Sequence, residues 1–176
     1  MSVLVRVGEN CKFMIDSFRG EHFYLSNMYP MKYRILSERS VGVATSEHAY
    51  QAAKFESEAA HRAVALVTAA ERGRGERLDG IASKNLAHEL IGADEPMRPN
   101  WNNIKLGVMH EVVQRKFIAN PDIRDLLAAT GDVPLIEGND WGDVFWGVDE
   151  TTGEGQNHLG LILQTVRTQI QTGRIR

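Results

Sequence analysis

Residues 45–55 read Thr-Ser-Glu-His-Ala-Tyr-Gln-Ala-Ala-Lys-Phe. Thr45 is a favourable N-cap, and the stretch after it predicts a helix that runs through Phe55. At about 100° per residue, Glu47, Gln51 and Lys54 fall within about 60° of arc on that helix. The sequence therefore predicts a polar row made of one carboxylate, one amide and one amine.

This polar row has two interpretations. Glutamate and lysine on one helix face are usually a solvated surface, which is the structural alternative. The small side chains at Ala49, Ala52 and Ala53 instead allow other elements to approach closely, and the helix dipole favours an ionised carboxylate at Glu47 in the first turn. We therefore treat the row as a candidate site, and His48, which points about 100° away from Glu47, as structural.

Outward from this helix, the chain is predicted to be mainly helical. Short strands are expected at residues 3–7 and 12–16, and residues 31–36 and 41–45 are expected to form a hairpin around the turn 37–40. Further helices are expected at 57–71, 81–90, 101–117, 121–129 and 157–170, with a strand at 133–137. The 101–117 helix carries an apolar stripe typical of a core, made of Trp101, Ile104, Val108, Met109, Val112, Val113 and Phe117. The expected fold is mainly α: one multihelical domain over residues 1–176, with a small antiparallel β portion near the N-terminus.

The amino-acid composition excludes several classes of protein. The chain has 176 residues, 43% of them hydrophobic and 24% charged, as in an ordinary globular domain. Cys11 is the single cysteine, which excludes an internal disulfide and a thiolate metal cluster. With no run of eighteen apolar residues and no signal-peptide opening, we expect a cytoplasmic protein that has no membrane partner. The sequence does not determine the oligomeric state.

The net charge limits the ways in which the protein could bind nucleic acid. A formal net charge of -3 argues against binding by a broad basic surface, although a small anionic ligand or a single nucleotide at a strand end stays compatible. Residues 71–77 hold three arginines among glycines and glutamates. They are interpreted either as a solvated loop or as a mobile phosphate clamp.

A second candidate segment is Glu137-Gly-Asn-Asp-Trp-Gly-Asp-Val-Phe-Trp-Gly147, with three acids, three aromatics and three glycines. A nucleobase stacked on an aromatic ring gains about 1–3 kcal/mol. A carboxylate such as that of Asp143 suits the positive charge that builds at an anomeric carbon during glycosidic cleavage. The alternative is that Trp146 is core and the acids form turns.

Two weaker patterns could hold phosphate or hydroxyl groups. Residues 151–157 form a glycine-bearing loop before a helix capped by Asn157, where free backbone N–H groups would attract phosphate. Arg19, Ser26 and Asn27 supply donors among aromatics, although Ser-Asn is also an ordinary turn former. The six histidines show no metal-ligand spacing and no Gly-x-Ser-x-Gly elbow is present, so we expect no metal, no cofactor and no serine nucleophile of that type.

Several of these motifs together resemble the NADAR superfamily, also called YbiA-like. They are residues 45–55, Leu25-Ser-Asn-Met-Tyr-Pro30, Trp101 with Met109 and Lys116-Phe117, Asp143-Val-Phe-Trp-Gly147, and Gly155-Gln-Asn-His-Leu-Gly160. They occur in the family's order over residues 13 to 170. Met28 departs from the pattern, which usually has Phe there, and residues 72–95 form an insertion relative to the most compact members.

The resemblance implies a mainly α-helical fold and an enzyme that hydrolyses N-glycosidic bonds. It implies Glu47 as catalytic acid and Lys54 as the lysine of the Gln-x-x-Lys-Phe motif, with Asp143 as a third catalytic group. By position it also implies a substrate-binding set made of Ser26, Asn27, Gln51, Trp146, Gly147, Gly155 and Asn157. Arg19 lies outside these motifs and joins the set because we expect the phosphates of the substrate to lie toward it.

The implied substrates are ADP-ribosylated guanine, possibly at a nucleic-acid end, and ribosylated aminopyrimidine intermediates of the riboflavin pathway. We expect the first, by removal of ADP-ribose. The second stays an alternative, as does a non-catalytic module that binds ADP-ribose or NAD. Two mechanisms also stay open: water attack helped by Glu47 or Asp143, and a Schiff base between Lys54 and an opened ribose. The resemblance favours the Schiff base.

Overall fold

The computed structural model describes residues 3–7, 10–72 and 79–176, with side chains described from residue 14 onward. The chain forms two compact units. A central unit comprises Asn27–Asn120, and a terminal unit comprises Met1–Ser26 together with Pro121–Arg176. Of the arginine-rich segment 71–77, residues 73–77 lie outside the described residues. The structure therefore does not test either interpretation of that segment.

The described elements are mainly helical, as predicted. The helices are α1 (Ser46–Ala52), α2 (Glu58–Leu66), α3 (Ala69–Arg72), α4 (Asp79–Gly92), α5 (Trp101–Ala119), α6 (Pro121–Ala129) and α7 (His158–Gln171), with a 3₁₀ helix at Gly20–Leu25. The strands are β1 (Val3–Val7), β2 (Asn10–Met14), β3 (Ile35–Leu36), β4 (Gly42–Val43), β5 (Gly138–Asn139) and β6 (Val148–Asp149). No helix of these described residues has the length and apolar character needed to cross a membrane.

The central unit is built around α1. This helix packs against α2, α4 and α5, and all seven of its residues are buried. Thr45 caps it as predicted, because its side chain accepts a hydrogen bond from the backbone N–H of His48. The core around it consists of Met31, Ile35, Val43, Ala49, Ala52, Phe55, Ala60, Val64, Ala65, Ala87 and Val112.

The end of α1 differs from the prediction. The helix stops at Ala52, and the backbone N–H groups of Lys54 and Phe55 bond to the carbonyls three residues earlier, each at 3.2 Å. This pattern is a tightened, 3₁₀-like last turn. Phe55 then forms an antiparallel bridge with Met97, so a tertiary contact ends the helix before the sequence pattern does.

The second predicted helix is divided in two. It ends at Leu66, Val67 is extended, and α3 begins at Ala69. The carbonyl of Val67 lies 2.9 Å from His48 Nε2, a contact that competes with helix continuation. The hairpin is confirmed but shorter than predicted, since only Ile35↔Val43 and Leu36↔Gly42 pair in β3 and β4.

In the longest helix, α5, the apolar stripe is largely core. Trp101, Met109, Val112, Val113 and Phe117 are buried, whereas Ile104 and Val108 are partly buried. Asn100 precedes the helix as predicted, but its side chain makes no capping hydrogen bond.

In the terminal unit, β1 and β2 pair antiparallel from Val3↔Met14 to Val7↔Asn10, close to the predicted strands. The predicted strand at 133–137 is wrong, because only Leu135 forms a bridge there, with Ile15. Pro134 offers no N–H to a ladder, which limits pairing at this point. The sequence did not predict the short parallel pair of β5 and β6, which joins Gly138 to Val148 and Asn139 to Asp149.

Candidate functional site

The polar row predicted on α1 is buried. Glu47, Gln51 and Lys54 are 7%, 3% and 9% exposed. The solvated-surface interpretation of the row is therefore wrong. Lys54 lies just past the helix end, in the tightened turn, and not on the helix itself.

Hydrogen bonds hold Glu47 in place. Gln51 Nε2 donates to Glu47 Oε1 at 2.6 Å, and the backbone N–H of Glu47 donates to the carbonyl of Asn27 at 3.0 Å. The carboxylate also lies in the first turn of α1, where the helix dipole favours its ionised form. The geometry supplies a fixed, buried carboxylate.

Lys54 has the electrostatic setting of a nucleophilic amine. Burial lowers the pKa of Lys54; Glu47 opposes this effect, and the positive charge of Lys84 on α4 lowers the pKa further. Lys54 Nζ also lies 5.6 Å from the centroid of the Tyr50 ring. A larger fraction of this amine is therefore neutral near pH 7 than in an exposed lysine.

Several buried polar atoms near α1 bond to nothing among the described residues. They are Gln51 Oε1, Asn27 Oδ1 and Ser46 Oγ. The amide nitrogens of Gln51 and Asn27 are directed elsewhere, to Glu47 Oε1 and to Met109 Sδ at 3.2 Å. The two oxygens are therefore buried acceptors that receive no hydrogen bond from the described residues.

His48 is structural, as predicted. Its Nδ1 lies 2.8 Å from Thr45 Oγ1 and its Nε2 lies 2.9 Å from the carbonyl of Val67. Burial lowers the pKa of this histidine, and both ring nitrogens have partners.

In the terminal unit, Asp143 organises a turn. Its Oδ1 accepts hydrogen bonds from the backbone N–H groups of Phe145 at 3.1 Å and Trp146 at 2.9 Å. Its own N–H donates to Asn139 Oδ1 at 2.8 Å. These bonds support the turn-forming interpretation, and the catalytic role of Asp143 stays a prediction.

Trp146 is partly buried in an aromatic cluster. Its ring meets that of Phe145 edge to face, with centroids 5.0 Å apart, and Phe145 lies 4.5 Å from the His158 ring. The indole is thus part of the packing of this unit, and its proposed stacking on a base stays a prediction.

The two glycines predicted to bind substrate are required by backbone packing. A Cβ on Gly147 would collide with the carbonyl oxygen of Glu137, and one on Gly155 with the carbonyl oxygen of Gly147. Gly155 also has a φ of 155°, which L side chains rarely adopt. Their place in the sequence pattern is therefore explained by close packing, whatever they bind.

The expectation of free N–H groups before α7 is wrong at its first positions. The N–H groups of Asn157, His158 and Leu159 donate to the carbonyls of Gly147, Phe145 and Trp146. The Asn157 side chain does not cap the helix. It accepts from the N–H of Glu137 at 3.0 Å and donates to the carbonyl of Leu135 at 2.9 Å. The N–H groups at these three positions are therefore already used within the unit.

Arg19 and Ser26 are the remaining predicted binding residues. Arg19 is half-exposed and lies 3.6 Å from Asp140 and 3.4 Å from Glu150, with its guanidinium 5.6 Å from the centroid of the Trp141 ring. Ser26 is buried, and its N–H donates to the carbonyl of Phe23 at the end of the 3₁₀ helix. Their roles toward substrate stay predictions.

Sequence reasoning missed Lys84, and it named Lys116 only as part of a family motif without predicting its burial. Lys84 influences Lys54 from α4, and Lys116 on α5 is 1% exposed, with its Nζ 5.5 Å from the Tyr29 ring centroid. The spacing along α1 gave no sign of Lys84, because it lies on a different helix. Burial of Lys116 could have been suspected from its place beside Phe117 in the apolar stripe.

Metal ligation has no candidate among the residues that the structure describes. No three histidine, cysteine, aspartate or glutamate side chains there are close enough to hold an ion. Independence from metal stays a prediction that chelator treatment can test.

Comparisons with known proteins agree on one family. Residues 14–171 match the NADAR domain. A riboflavin biosynthesis protein of Vibrio vulnificus is 34% identical over 150 residues, which is 85% of this chain and 36% of that protein. An N-glycosidase of Nostoc punctiforme is 35% identical over 128 residues, covering 73% of this chain and 74% of that protein. N-glycosidase YbiA of Escherichia coli is 32% identical over 128 residues, covering 72% and 69%.

The fold is shared as well. The NMR structure of the E. coli protein YbiA superposes with a TM-score of 0.72 at 24% sequence identity, covering 93% of this chain and 90% of that one. The chain spans about a third of the Vibrio protein but more than two thirds of the two N-glycosidases. With the matched domain covering nearly all of the described residues, the chain belongs to the NADAR domain family.

Proposed function

We propose that this protein is an N-glycosidase that hydrolyses the bond between a ribose and a nitrogen base in a nucleotide-like substrate. The observation that carries the proposal is the buried row of Glu47, Gln51 and Lys54. The names of the Nostoc and E. coli relatives support the same reaction.

The row suits this chemistry because its groups have different tasks. Glu47 is fixed by Gln51 and can transfer a proton to or from the sugar. Lys54 is buried, and its lowered pKa favours the neutral amine that a nucleophile needs. Gln51 Oε1 is a buried acceptor beside them that receives no hydrogen bond from the described residues.

We propose the Schiff-base route. Glu47, in its protonated form, gives a proton to the ring oxygen; the bond between that oxygen and the anomeric carbon breaks, the ribose opens, and the base nitrogen forms an iminium with the anomeric carbon. The neutral Lys54 amine adds to that carbon, a proton passes from the amine to the base nitrogen, and the bond from carbon to base breaks as a protonated imine to Lys54 forms. Water adds to this imine, the bond to Lys54 breaks, the sugar is released as its aldehyde, and the surplus proton returns to the Glu47 carboxylate.

For the substrate, we propose ADP-ribosylated guanine, with release of ADP-ribose. The support is the set of family motifs along the chain, together with an acceptor-lined row that suits a ribose. A ribosylated aminopyrimidine of the riboflavin pathway is the second candidate, favoured by the name of the Vibrio relative.

The test is to incubate the protein with ADP-ribosylated guanosine and with ribosylated aminopyrimidine riboflavin precursors in parallel, and to identify the products by mass. Release of guanosine and ADP-ribose supports the first substrate, and release of free aminopyrimidine and a ribose phosphate supports the second. Binding of either compound without any cleavage would contradict the enzyme proposal and support a non-catalytic module.

A further inference from the structure

One face of α4 lies along the polar row of α1. The two helices pack together at Gly80, whose Cβ position is 3.3 Å from Glu47 Cβ. At about 100° per residue, Lys84 and His88 lie about 40° and about 80° around α4 from Gly80, and each is roughly one turn further along the helix. The face of α4 that begins against Glu47 therefore carries an amine and an imidazole.

Both of these groups interact electrostatically with Lys54 at the end of the polar row. Partial desolvation lowers the pKa of His88, and the positive charges of Lys54 and Lys84 lower it further. Burial is the main cause of the lowered pKa of Lys54, and the charge of Lys84 adds to it. Since such interactions weaken with distance, Lys54, Lys84 and His88 form one cluster, in agreement with the packing of the two helices.

Lys84 and His88 are accessible to a ligand. Lys84 is half-buried and His88 is exposed. Neither side chain has an ion pair or a hydrogen bond with another residue that the structure describes. The neighbouring carboxylate on α4, that of Glu89, pairs instead with Arg72 at 2.6 Å. Within the described part of the chain, the donors of Lys84 and His88 are thus not engaged by an anion.

We propose that Lys84 and His88 bind the phosphate on C5 of the substrate's ribose, while Lys54 reacts at the anomeric carbon. This inference rests on the proposed function and adds to it the groups that hold the sugar. Both candidate substrates carry a phosphate at C5, as a diphosphate in ADP-ribose and as a monoester in the ribosylated aminopyrimidine. Arg19, which the sequence predicts to lie toward phosphate, belongs to the terminal unit and is not part of this site.

The spacing of the two groups suits one phosphate. Residues four apart on a helix have Cβ atoms about 5–6 Å apart, so the Lys84 amine and an imidazole N–H of His88 can donate to different oxygens of the same phosphate. In a ribose ring, only C4 and the ring oxygen separate C5 from the anomeric carbon. The groups that hold the phosphate therefore have to lie close to Lys54, as Lys84 and His88 do.

The test is a titration of ribitol 5-phosphate with the whole protein, followed by the phosphorus NMR signal of the ligand. Ribitol 5-phosphate has neither an aldehyde nor a base, so it cannot form an imine with Lys54 and cannot be cleaved. We expect a saturable change of the phosphorus signal at millimolar concentrations. Unphosphorylated ribitol, added in equal amount, should not reverse that change, because it lacks the group that Lys84 and His88 bind.

Matched variants locate the binding site. Lys84→Gln is expected to weaken the binding of ribitol 5-phosphate about tenfold or more, whereas Lys84→Arg should keep most of it because the charge and the donors remain. His88→Ala, at an exposed position, should weaken binding several-fold, and it serves if Lys84→Gln does not fold. Lys32→Gln is the control: it removes the same charge from an exposed lysine that lies over the Tyr33 ring, and it should bind like the parent.

Binding is measured instead of turnover because Lys84→Gln would also raise the pKa of Lys54 and so alter the reaction for a second reason. A protein that binds ribitol 5-phosphate as expected but cleaves no substrate would contradict the proposed function and leave this site standing. The site is refuted by the absence of a saturable change, by reversal with ribitol, or by parental affinity in either Lys84→Gln or His88→Ala. Equal weakening by Lys32→Gln would also refute it, since the effect would then come from overall charge.

Discussion

Replacing Glu47 by glutamine removes its ionisable carboxyl group but keeps the shape of the side chain. We expect Glu47→Gln to lower kcat by about 10²- to 10⁴-fold, the usual contribution of a positioned acid or base. The thermal unfolding midpoint should change little, because Gln51 Nε2 would meet an amide oxygen where it now meets Oε1. Glu58→Gln, at an exposed position in α2, is the control and should keep both values. Activity of Glu47→Gln within a few-fold of the parent would refute the assignment.

Lys54 permits a direct chemical test. If its amine attacks the sugar, borohydride added during turnover reduces the imine and leaves a permanent mass increase on the peptide that contains Lys54. Lys54→Arg should lose both turnover and the adduct, because a guanidinium stays protonated. If borohydride leaves no adduct on the parent protein and Lys54→Arg turns over normally, the Schiff-base route is wrong. Direct attack by water would then be the mechanism.

At the residue scale, the sequence predicted the polar row because three residues at helical spacing depend only on local geometry. It did not predict Lys84, whose effect on Lys54 arises from the packing of α4 near α1. It also did not decide between the two interpretations of Asp143. The hydrogen bonds that Asp143 Oδ1 accepts from two backbone N–H groups depend on the turn conformation, which residue types alone do not determine.

At the scale of elements, the contact of α1 with α4 depends on Gly80. A Cβ there would lie 3.2 Å from Thr45 Oγ1, which its hydrogen bonds to His48 hold in place, and 3.3 Å from Glu47 Cβ, as well as 2.7 Å from the more mobile Met28 Sδ. Alanine normally stabilises a helix relative to glycine, but here overpacking should dominate. We expect Gly80→Ala to lower the free energy of unfolding by about 1–2 kcal/mol.

Gly107 provides the matched control for Gly80. It lies within α5, and nothing is within 4 Å of its Cβ position. Gly107→Ala should therefore raise the free energy of unfolding by about 0.5–1 kcal/mol. Urea denaturation of both variants measures the difference. Equal stabilisation by the two alanines would show that α4 does not need Gly80 for its close approach.

Elements with strong local signals were predicted well. The caps and apolar periodicity located α1, α5, α6 and α7, and the turn at 37–40 located the hairpin of β3 and β4. The errors occur where a tertiary contact overrides the pattern. His48 contacts the carbonyl at the break after α2, and Pro134 limits the predicted strand to a bridge.

At the scale of the whole molecule, two buried histidines couple stability to pH. His48 and His61 are 2% and 0% exposed, and burial lowers the pKa of each below its ordinary value of 6.5. His61 Nε2 lies 2.9 Å from Ser37 Oγ, also buried. In the unfolded chain both imidazoles take up a proton near pH 6.5, whereas in the folded protein they do so only at lower pH.

This difference sets the direction of the pH dependence. Above pH 6.5 the two histidines are neutral in both states and cost nothing. As pH falls below 6.5, the unfolded chain binds more protons than the folded protein, so the free energy of unfolding decreases until the lowered pKa values are reached. Asp149, whose carboxyl pKa is lowered from 3.8, titrates outside this window and does not contribute to it.

We therefore expect the urea midpoint to fall between pH 7.5 and pH 5, and to fall less in the double variant His48→Gln, His61→Gln. The glutamines lower stability at pH 7.5, because contacts of His48 with Thr45 and Val67 are lost or altered. The informative quantity is thus the slope with pH, which the variant should flatten since its two sites no longer titrate. A midpoint in the parent that stays constant or rises as pH falls would mean that these histidines are already protonated in the folded protein. An unchanged slope in the double variant would assign the pH dependence to other groups.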